Sequence, residues 1–391
     1  MTECNFFPLN GVENKIPTPS YIFEETALQE KIRQIRTLLP ACSQLCFAMK
    51  ANPFLLDLMD PQVDRFEVCS PGEDEICLKR GIRPEKIIVS GVNKTEQSME
   101  RILTASRGKG IYTIESPRHY EILESAASRL GLHIQVMIRL SSGNQFGVDQ
   151  DHFLAILRKV QTSAWLSFQG IHYFSGTQKK LKKIQKELTM LEQFGLELRQ
   201  NFGLSQLELE YGPGLSVDYF GDEKIPSPEE QLTELQQMLS QLTAFQSVGI
   251  ELGRFLASSC GFFLTKVVDL KNTEGANYVI LDSGIHQLHY FGQMMGMKIP
   301  PIEQMPRREG ENTYILCGSL CTVNDVMVRD VKLSPLAIGD FLLFGCSGAY
   351  SMTEGSALFL SRELPGVYEL RGDGNARCLR KISETHLLNT I

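Results

Sequence analysis

A lysine ends one of the most apolar runs in the chain, and its position suggests covalent chemistry. The segment LCFAMKANP starts at Leu45, reaches Lys50 after five mostly apolar residues and turns at Asn52-Pro53. Burial lowers the pKa of a lysine, and a lysine that gives up its proton can form a Schiff base with a carbonyl group. Taken alone, Lys50 fits better as a solvated residue at the rim of a sheet.

A second group of residues has the chemistry needed to hold a phosphate. In the motif YGPG, Gly212 and Gly214 allow the backbone to approach an anion closely, although this motif by itself is more typical of a turn. Ser175 and Arg254 add side-chain donors, and Glu251 supplies a carboxylate. A lysine, a phosphate site and a carboxylate together point to pyridoxal phosphate, whose ring nitrogen the carboxylate would keep protonated.

The elements that position these residues alternate over the first two-thirds of the chain. Short β-rich runs are separated by amphipathic helical stretches, which predicts parallel strands with helical crossovers. Eight such runs in roughly 230 residues fit a (β/α)₈ barrel, for which about 250 residues is typical. An open doubly wound sheet is the competing architecture, but it would need a phosphate loop after the first strand, where this sequence has Lys-Ala-Asn-Pro.

The ends of the predicted strands carry most of the reactive side chains. In (β/α)₈ barrels the chemistry lies at the carboxyl ends of the strands. Structural need alone would not place so many polar residues there, so the sequence predicts an active site at this end. The residues concerned are Lys50, Glu67, Ser70, Asn93, Lys94, Glu115, Arg139, His172, Ser175, Gly212, Gly214, Glu251 and Arg254.

After about residue 255 the pattern changes to strands separated by Gly, Asp and Asn turns, which predicts an antiparallel β domain. The strand-like segment PSYIFE, which precedes the barrel, could join the same sheet. We therefore predict a barrel over residues 25–256 and a β domain formed by residues 1–24 and 257–391.

Composition and charge exclude several classes of function. The net charge of −7 does not favour nucleic acid or an anionic membrane as a partner. No apolar run reaches the length of about 18–20 residues that a membrane span requires. The first ten residues, MTECNFFPLN, lack the pattern of a signal peptide, which favours the cytoplasm. The cysteine spacing does not indicate a zinc site, so no metal is expected.

Several motifs resemble those of the fold-type III pyridoxal-phosphate-dependent decarboxylases, the group that includes ornithine, diaminopimelate and arginine decarboxylases. FAMKAN is similar to the family's Schiff-base segment, which makes Lys50 the cofactor lysine. FEVCSPGE resembles its second-strand motif. GIHYFSGTQ resembles the segment with the histidine that stacks on the cofactor ring, here His172, and with a phosphate serine, here Ser175. The resemblance covers nearly the whole chain.

The end of the eighth strand carries a further match. ELGR is similar to the family's Glu-Pro-Gly-Arg, which implies that Glu251 pairs with the ring nitrogen and that Gly253 and Arg254 bind the phosphate. YGPG stands where the family has three glycines, and Pro213 removes one N–H donor. The predicted cofactor-binding residues of the barrel and its end are Lys50, Glu67, Arg139, His172, Ser175, Gly212, Gly214, Glu251, Gly253 and Arg254.

The β domain carries two more motifs. CGSLCTVNDVM resembles the segment whose cysteine, here Cys321, reaches into the partner subunit's active site, and GAYSMTEGSALFLS carries the tyrosine, here Tyr350, that contacts the phosphate. The resemblance implies a head-to-tail homodimer with two shared active sites. It also implies a reaction in which CO₂ leaves the amino acid bound to the cofactor and Cys321 of the partner subunit then protonates Cα, with Lys50 assisting.

The substrate is indicated by fewer residues. Relatives that act on basic amino acids carry an acid after the cysteine, where this chain has Thr322. The segment DSGIHQLHYFG lacks the arginine that diaminopimelate enzymes use for the distal carboxylate and has His286 and His289 instead. These two histidines are candidates for substrate binding or are interfacial side chains, and Asp325 remains as a candidate acidic contact.

The pair Cys321-Thr322 and the histidine motifs resemble the biosynthetic branch of the family most closely. That branch includes the decarboxylase for glutamate tethered to an acyl-carrier protein and decarboxylases of siderophore pathways. We therefore expect an amino acid, or a tethered or conjugated aminoacyl group, as the substrate.

Three alternatives remain. The first is a decarboxylase for diaminopimelate or another basic amino acid. The second is an alanine racemase, which shares the barrel and the lysine but uses a tyrosine base and has no glutamate on the ring nitrogen, so Glu251 and Cys321 argue against it. The third is a non-catalytic homologue that binds the cofactor. Such relatives usually lose the lysine or the cofactor contacts, and both are intact here.

Overall fold

The computed structural model describes residues 12–222 and 224–391, which form two compact units. The barrel unit comprises Ile32–Ser216 and Ser227–Gly253. The sheet unit comprises the described residues up to Lys31 together with Val217–Pro226 and Arg254–Ile391. The first eleven residues, which the sequence assigns to the β domain, lie outside the described residues, and the domain bounds stay a prediction.

Strand β1 (Ser20–Glu24) precedes the barrel in the chain, and eight parallel strands then close the barrel in sequence order. Closure is shown by the parallel pairing of the first and last of them, so the predicted (β/α)₈ barrel is confirmed and the open sheet is excluded. The barrel strands are β2 (Ser43–Ala48), β3 (Arg65–Val68), β4 (Ile87–Val89), β5 (Ile111–Ile114), β6 (Ile134–Arg139), β7 (Leu166–Phe174), β8 (Glu208–Gly212) and β9 (Ser247–Leu252).

Helices follow the strands, and five of them begin at a side-chain cap. Ser70, Thr95, Ser116, Asp149 and Ser227 each accept a hydrogen bond from a backbone N–H in the first turn of the helix that follows. Such caps typically stabilise a helix by about 1 kcal/mol. The helices are α1 (Glu25–Leu38), α2 (Leu56–Met59), α3 (Pro71–Lys79), α4 (Glu96–Ser106), α5 (Pro117–Leu130), α6 (Gln150–Thr162), α7 (Leu181–Phe202), α8 (Pro228–Leu239) and α9 (Arg254–Ala257).

Among the residues that the structure describes, the sheet unit is built on nine strands, and β1 is one of them, as predicted for PSYIFE. The expectation of an antiparallel domain is corrected in part. β1 runs antiparallel to β10 but parallel to β16, and β11 runs parallel to β13, because these pairs are joined by long connections that impose no hairpin. The other strands are β10 (Gly261–Thr273), β11 (Ala276–Leu281), β12 (Ile302–Met305), β13 (Asn312–Cys317), β14 (Val326–Leu333), β15 (Phe341–Phe344), β16 (Gly366–Leu370) and β17 (Ala376–Arg380).

Each unit has its own apolar cluster. In the barrel, side chains from β2, β4, β5 and β6 meet as Cys46, Ile88, Ile111 and Met137. In the sheet unit the cluster consists of Ile16, Ile22, Phe262, Leu264, Leu343 and Leu370. Over the part of the chain that the structure describes, no helix is both long and apolar enough to cross a membrane.

Candidate active site

Lys50 lies just beyond β2 in a single 3₁₀ turn, Met49–Ala51, whose other two residues are buried. Its Nζ atom is 2.6 Å from Oε2 of Glu67 and 3.8 Å from Oε1 of Glu251. The Lys50 side chain is 33% exposed. A lysine so placed is accessible to a small aldehyde, and the two carboxylates hold its amino group in one position.

Glu67 is the centre of this hydrogen-bond network. Its Oε1 atom accepts from the hydroxyl of Ser90 and from the Cys69 thiol, which is 3.1 Å away, while Oε2 accepts from Lys50. Burial alone raises the pKa of Glu67, but the Lys50 ammonium and the Ser90 hydroxyl hold that pKa well below its ordinary value. Glu67 therefore stays ionised beside Lys50.

Cys69 is a member of this cluster that the sequence motifs did not single out. Its sulfur lies 3.3 Å from Nζ of Lys50. Burial raises the pKa of the Cys69 thiol, so the sulfur stays protonated. The sequence did indicate that Cys69 could join the cluster, because it lies two residues after Glu67 and alternate residues of an extended chain face the same side.

His172 and Glu251 meet inside the barrel. Nε2 of His172 lies 3.2 Å from Oε2 of Glu251, and both side chains are buried. Because β8 separates β7 from β9, this contact crosses the interior rather than joining neighbouring strands. The structure thus brings together four of the predicted residues, which are Lys50, Glu67, His172 and Glu251.

Arg139 belongs to a separate buried cluster. Its Nη1 atom lies 3.0 Å from Oε2 of Glu115, and its guanidinium stacks over the ring of Phe146. Lys94 lies 4.0 Å from the other oxygen of Glu115, and burial lowers the pKa of Lys94 to about 8. The structure therefore pairs Arg139 with Glu115, a residue that the sequence placed at a strand end without a role.

Ser175 is held by the start of helix α7. Its hydroxyl donates to Glu187 and lies 3.2 Å from Nζ of Lys179. Lys179 in turn is 2.6 Å from Glu187 and 3.0 Å from the carbonyl oxygen of Gly212. Neither Lys179 nor Glu187 was predicted, because their pairing depends on how α7 packs against β8.

The glycines of YGPG are required by close backbone packing. Gly214 has a φ of +58°, and a Cβ there would overlap the carbonyl oxygen of Gly176. A Cβ on Gly212 would overlap the ring of Phe174. The backbone N–H of Lys179 donates to the carbonyl of Gly214 at 2.8 Å, so the loop is fixed in a shape that only glycine permits at these two positions.

Arg254 follows Gly253 in the chain and begins α9 in the sheet unit. Its Nη1 atom donates to the hydroxyl of Tyr219 at 3.0 Å, and its guanidinium lies 4.4 Å from the ring centre of Tyr350. Tyr219 was not predicted, since nothing in the sequence marks its contact with an arginine 35 residues away. The structure therefore places Arg254 beside Tyr350, and the binding of phosphate by these two residues stays a prediction.

The turn with Cys321 is fastened by Asp325. Cys321 is exposed and Thr322 half-buried, whereas Asp325 is 3% exposed. The Asp325 carboxylate accepts from the backbone N–H of Ile285 at 2.9 Å and of Leu320 at 2.7 Å. Asp325, which the sequence suggested as a substrate contact, therefore stabilises the turn.

We expect the change Asp325→Ala to lower the free energy of unfolding by about 1 kcal/mol for each of the two partly buried backbone donors that loses its acceptor. Asp325→Asn keeps one oxygen and should cost about half as much. Thermal unfolding of the full chain measures both. The exposed carboxylate of Glu311 provides the control, since Glu311→Ala should change stability by about 0.5 kcal/mol at most. If the Asp325 variants had the same melting temperature as Glu311→Ala, this role of Asp325 would be contradicted.

The two predicted histidines differ in environment. His286 is buried, neither ring nitrogen has a hydrogen-bond partner, and burial lowers its pKa to about 4. Nε2 of His289 lies 3.8 Å from Oε2 of Glu354, and both side chains are partly exposed. His289, Glu354 and Asn324 line a cavity of about 460 Å³ in the sheet unit, whereas His286 does not.

These groups fit the cofactor that the motifs imply. Within the barrel unit, an accessible lysine lies beside two carboxylates, and the buried imidazole of His172 has an Nδ1 atom without a partner. Within the sheet unit, Arg254 has a buried Nε atom without a partner, a donor of the kind that a phosphate oxygen accepts. The barrel residues can hold an aldehyde and the ring nitrogen of such a cofactor.

Comparison with known proteins is consistent with this chemistry. Residues 25–258 match the family model described as "Pyridoxal-dependent decarboxylase, pyridoxal binding domain". A diaminopimelate decarboxylase of Pseudomonas aeruginosa is 29% identical over 374 residues, 89% of this chain and 86% of that protein. The L-glutamyl-[BtrI acyl-carrier protein] decarboxylase of Niallia circulans is 26% identical over 95% of this chain and 91% of its own.

A solved structure shows the same fold. The crystal structure of a diaminopimelate decarboxylase from M. jannaschii superimposes with a TM-score of 0.87 at 20% identity. The superposition covers 97% of this chain and 93% of that one. The barrel and the separate mixed sheet are therefore an arrangement that decarboxylases of this kind also have.

Proposed function

Because this chain belongs to the family of fold-type III pyridoxal-phosphate-dependent decarboxylases, we propose that it decarboxylates an amino acid in conjugated or carrier-tethered form, in a biosynthetic pathway of the secondary-metabolite or siderophore type. The amino-acid decarboxylase activity and the cofactor are those of the family. The proposal for the substrate depends on one observation. The turn over residues 317–327 contains a single carboxylate, Asp325, and that carboxylate is buried on two backbone N–H groups.

A free basic amino acid needs an acidic partner for its distal ammonium group. With Thr322 after the cysteine and Asp325 committed to the backbone, this turn offers no such partner. A substrate whose distal end is an amide or thioester carries no charge there and needs none. The relative from Niallia circulans, named for a glutamyl group on an acyl-carrier protein, supports this choice.

The second candidate is diaminopimelate, because a relative from Pseudomonas aeruginosa carries that activity. Against it, the segment DSGIHQLHYFG contains no arginine for a distal carboxylate. Glu354 beside His289 could hold a distal ammonium, so this candidate needs a direct test.

We assign the residue roles as follows. When bound, pyridoxal phosphate supplies an electron sink for the charge left by the loss of CO₂. Lys50 holds the cofactor. Glu67 accepts a hydrogen bond from the Lys50 amino group and keeps that group in place. Glu251 holds the proton on the ring nitrogen, and His172 lies against the ring. The proposed phosphate site consists of Ser175, Gly212, Gly214, Gly253, Arg254 and Tyr350.

The remaining roles concern the proton and the assembly. We propose that Cys321 of the partner subunit delivers a proton to Cα in a head-to-tail homodimer, and that the protein works in the cytoplasm. We keep Arg139, which pairs with Glu115, among the proposed cofactor-binding residues. Thr322 and His289 are the residues we expect to contact the distal end of the substrate.

The test is the release of CO₂ from matched substrates by the purified protein with pyridoxal phosphate. We expect kcat/KM for a glutamyl thioester or glutamyl amide to exceed the values for diaminopimelate, ornithine and lysine by at least about 100-fold, which corresponds to about 2.7 kcal/mol. Equal rates for diaminopimelate and the conjugates would refute the proposal. A protein that binds the cofactor but releases no CO₂ from any of them would favour the non-catalytic alternative.

A further inference from the structure

A column of ionisable side chains runs through the barrel interior beside the His172–Glu251 pair. Arg65 on β3 reaches Glu208 at 2.9 Å and Glu210 at 3.3 Å, both on β8. Because β2 and β9 separate β3 from β8, these ion pairs cross the interior. Barrel interiors are normally filled by layers of branched apolar side chains, so buried charges here carry a desolvation cost that calls for a reason.

The register places Glu210 next to the proposed cofactor residues. On β7 its partner is His172, and on β9 its partner is Gly249, two residues before Glu251. A Cβ on Gly249 would overlap Oε2 of Glu210. Because Gly249 has no side chain, β9 leaves room for the Glu210 carboxylate in the layer below Glu251.

The charges of the column do not balance. Three carboxylates, Glu208, Glu210 and Glu251, share one guanidinium and one imidazole, and Lys50, which also contacts Glu251, is paired more closely with Glu67. Carboxylates that share a buried site cannot all ionise, and their titrations are coupled. One proton must therefore be retained inside the barrel.

Two buried atoms are available for that proton. Oε1 of Glu210 and Nδ1 of His172 are both buried without a hydrogen-bond partner, and they belong to residues that are register partners on adjacent strands. We propose that Glu210 is a positioning residue whose carboxyl carries this proton, in place of Nδ1 of His172, and thereby keeps Glu251 ionised. This inference deepens the proposed role of Glu251 on the ring nitrogen and rests on it.

The electrostatics agree with this placement. Burial raises the pKa of Glu210 to about 7; Arg65 and His172 act to lower it, and the Glu251 carboxylate acts to raise it. A neutral Glu210 removes the negative charge that would otherwise drive a proton onto Glu251. The groups that face Glu210 are Arg65 from β3, Glu208 from β8, His172 from β7, Glu251 from β9 and Cys46 from β2.

The variant Glu210→Gln imitates the protonated carboxyl at every pH. We divide the dissociation constant of wild type for pyridoxal phosphate by that of Glu210→Gln. We expect this ratio to be near one at pH 6. It should rise about tenfold by pH 8.5, as the wild-type carboxyl loses its proton. Absorbance titration of the apo-protein measures the constants. Changes with pH in the ionisation of the cofactor phosphate and of Lys50 affect both proteins equally, so they cancel in the ratio.

Stability gives a readout that needs no cofactor. The folded pKa of Glu210 exceeds its unfolded value of about 4.3, so the folded protein holds an extra proton between these values and loses stability as pH rises toward 7. The melting temperature of Glu210→Gln, relative to wild type, should therefore rise between pH 5 and pH 8. A residue that only fills space would give a difference independent of pH.

Glu208→Gln is the matched control, since it removes the same charge from Arg65 but leaves the Glu210 contact. Because Arg65 then faces Glu210 alone, Glu208→Gln should move the pH dependence of both measurements to lower pH without abolishing it. A flat affinity ratio for Glu210→Gln, or an equal effect of Glu208→Gln, would overturn the proposal.

If Glu210→Gln does not fold, infrared spectra of wild-type protein with labelled glutamate decide the matter. They should show a protonated carboxyl at pH 6 that is lost by pH 9, and its absence would overturn the proposal. None of these readouts uses the substrate, so they are independent of which amino acid is decarboxylated.

Discussion

The Lys50→Arg variant should remain folded and lose decarboxylation by at least about 10³-fold. A guanidinium stays ionised in proteins and cannot attack an aldehyde. It can still pair with Glu67, whose carboxylate lies 2.6 Å from Nζ of Lys50 and is almost fully buried. Loss of activity would therefore report the missing Schiff base rather than a damaged barrel.

Two measurements separate these effects. The absorbance band of cofactor bound covalently through Lys50 should be absent, while the melting temperature of the apo-protein should stay close to wild type. Lys50→Ala is the contrasting variant, because it leaves Glu67 without its cation. Removing one partner of a buried ion pair typically costs about 3–5 kcal/mol, somewhat less here because Lys50 is partly exposed. A fully active Lys50→Arg protein would exclude Lys50 as the cofactor lysine.

The Cys321→Ala variant should lower the rate of product formation by about 10²–10⁴-fold, the usual contribution of a positioned proton donor. The cysteine is exposed in the described chain, as a residue that acts in a partner subunit needs to be. Cys378, a second exposed thiol of the sheet unit, supplies the matched control, and Cys378→Ala should keep the wild-type rate.

Co-expression with Lys50→Arg tests whether Cys321 acts across subunits. In a symmetric dimer with shared sites, random pairing makes about half of the dimers hybrid, and each hybrid has one intact site, so about a quarter of the activity should return. Each parent variant alone should remain nearly inactive. If purified hybrids recover nothing, Cys321 does not serve the partner's site.

Much of the candidate site could be read from the sequence because the barrel imposes a simple rule. Alternating strands and helices bring all carboxyl ends of the strands to one edge. Lys50, Glu67, His172 and Glu251 could therefore be expected to converge although they are spread over about 200 residues, and the structure places them in one cluster. The family motifs then indicated the cofactor.

Other contacts depend on the tertiary structure alone. The pairs Arg65–Glu210 and His172–Glu251 cross the barrel, and which side chains meet there is set by the tilt and stagger of the strands, which the local sequence does not record. The same holds for Asp325. Its type suggested a substrate contact, but the fold buries it against two backbone donors, because an unpaired N–H inside the protein costs more than an exposed carboxylate contributes.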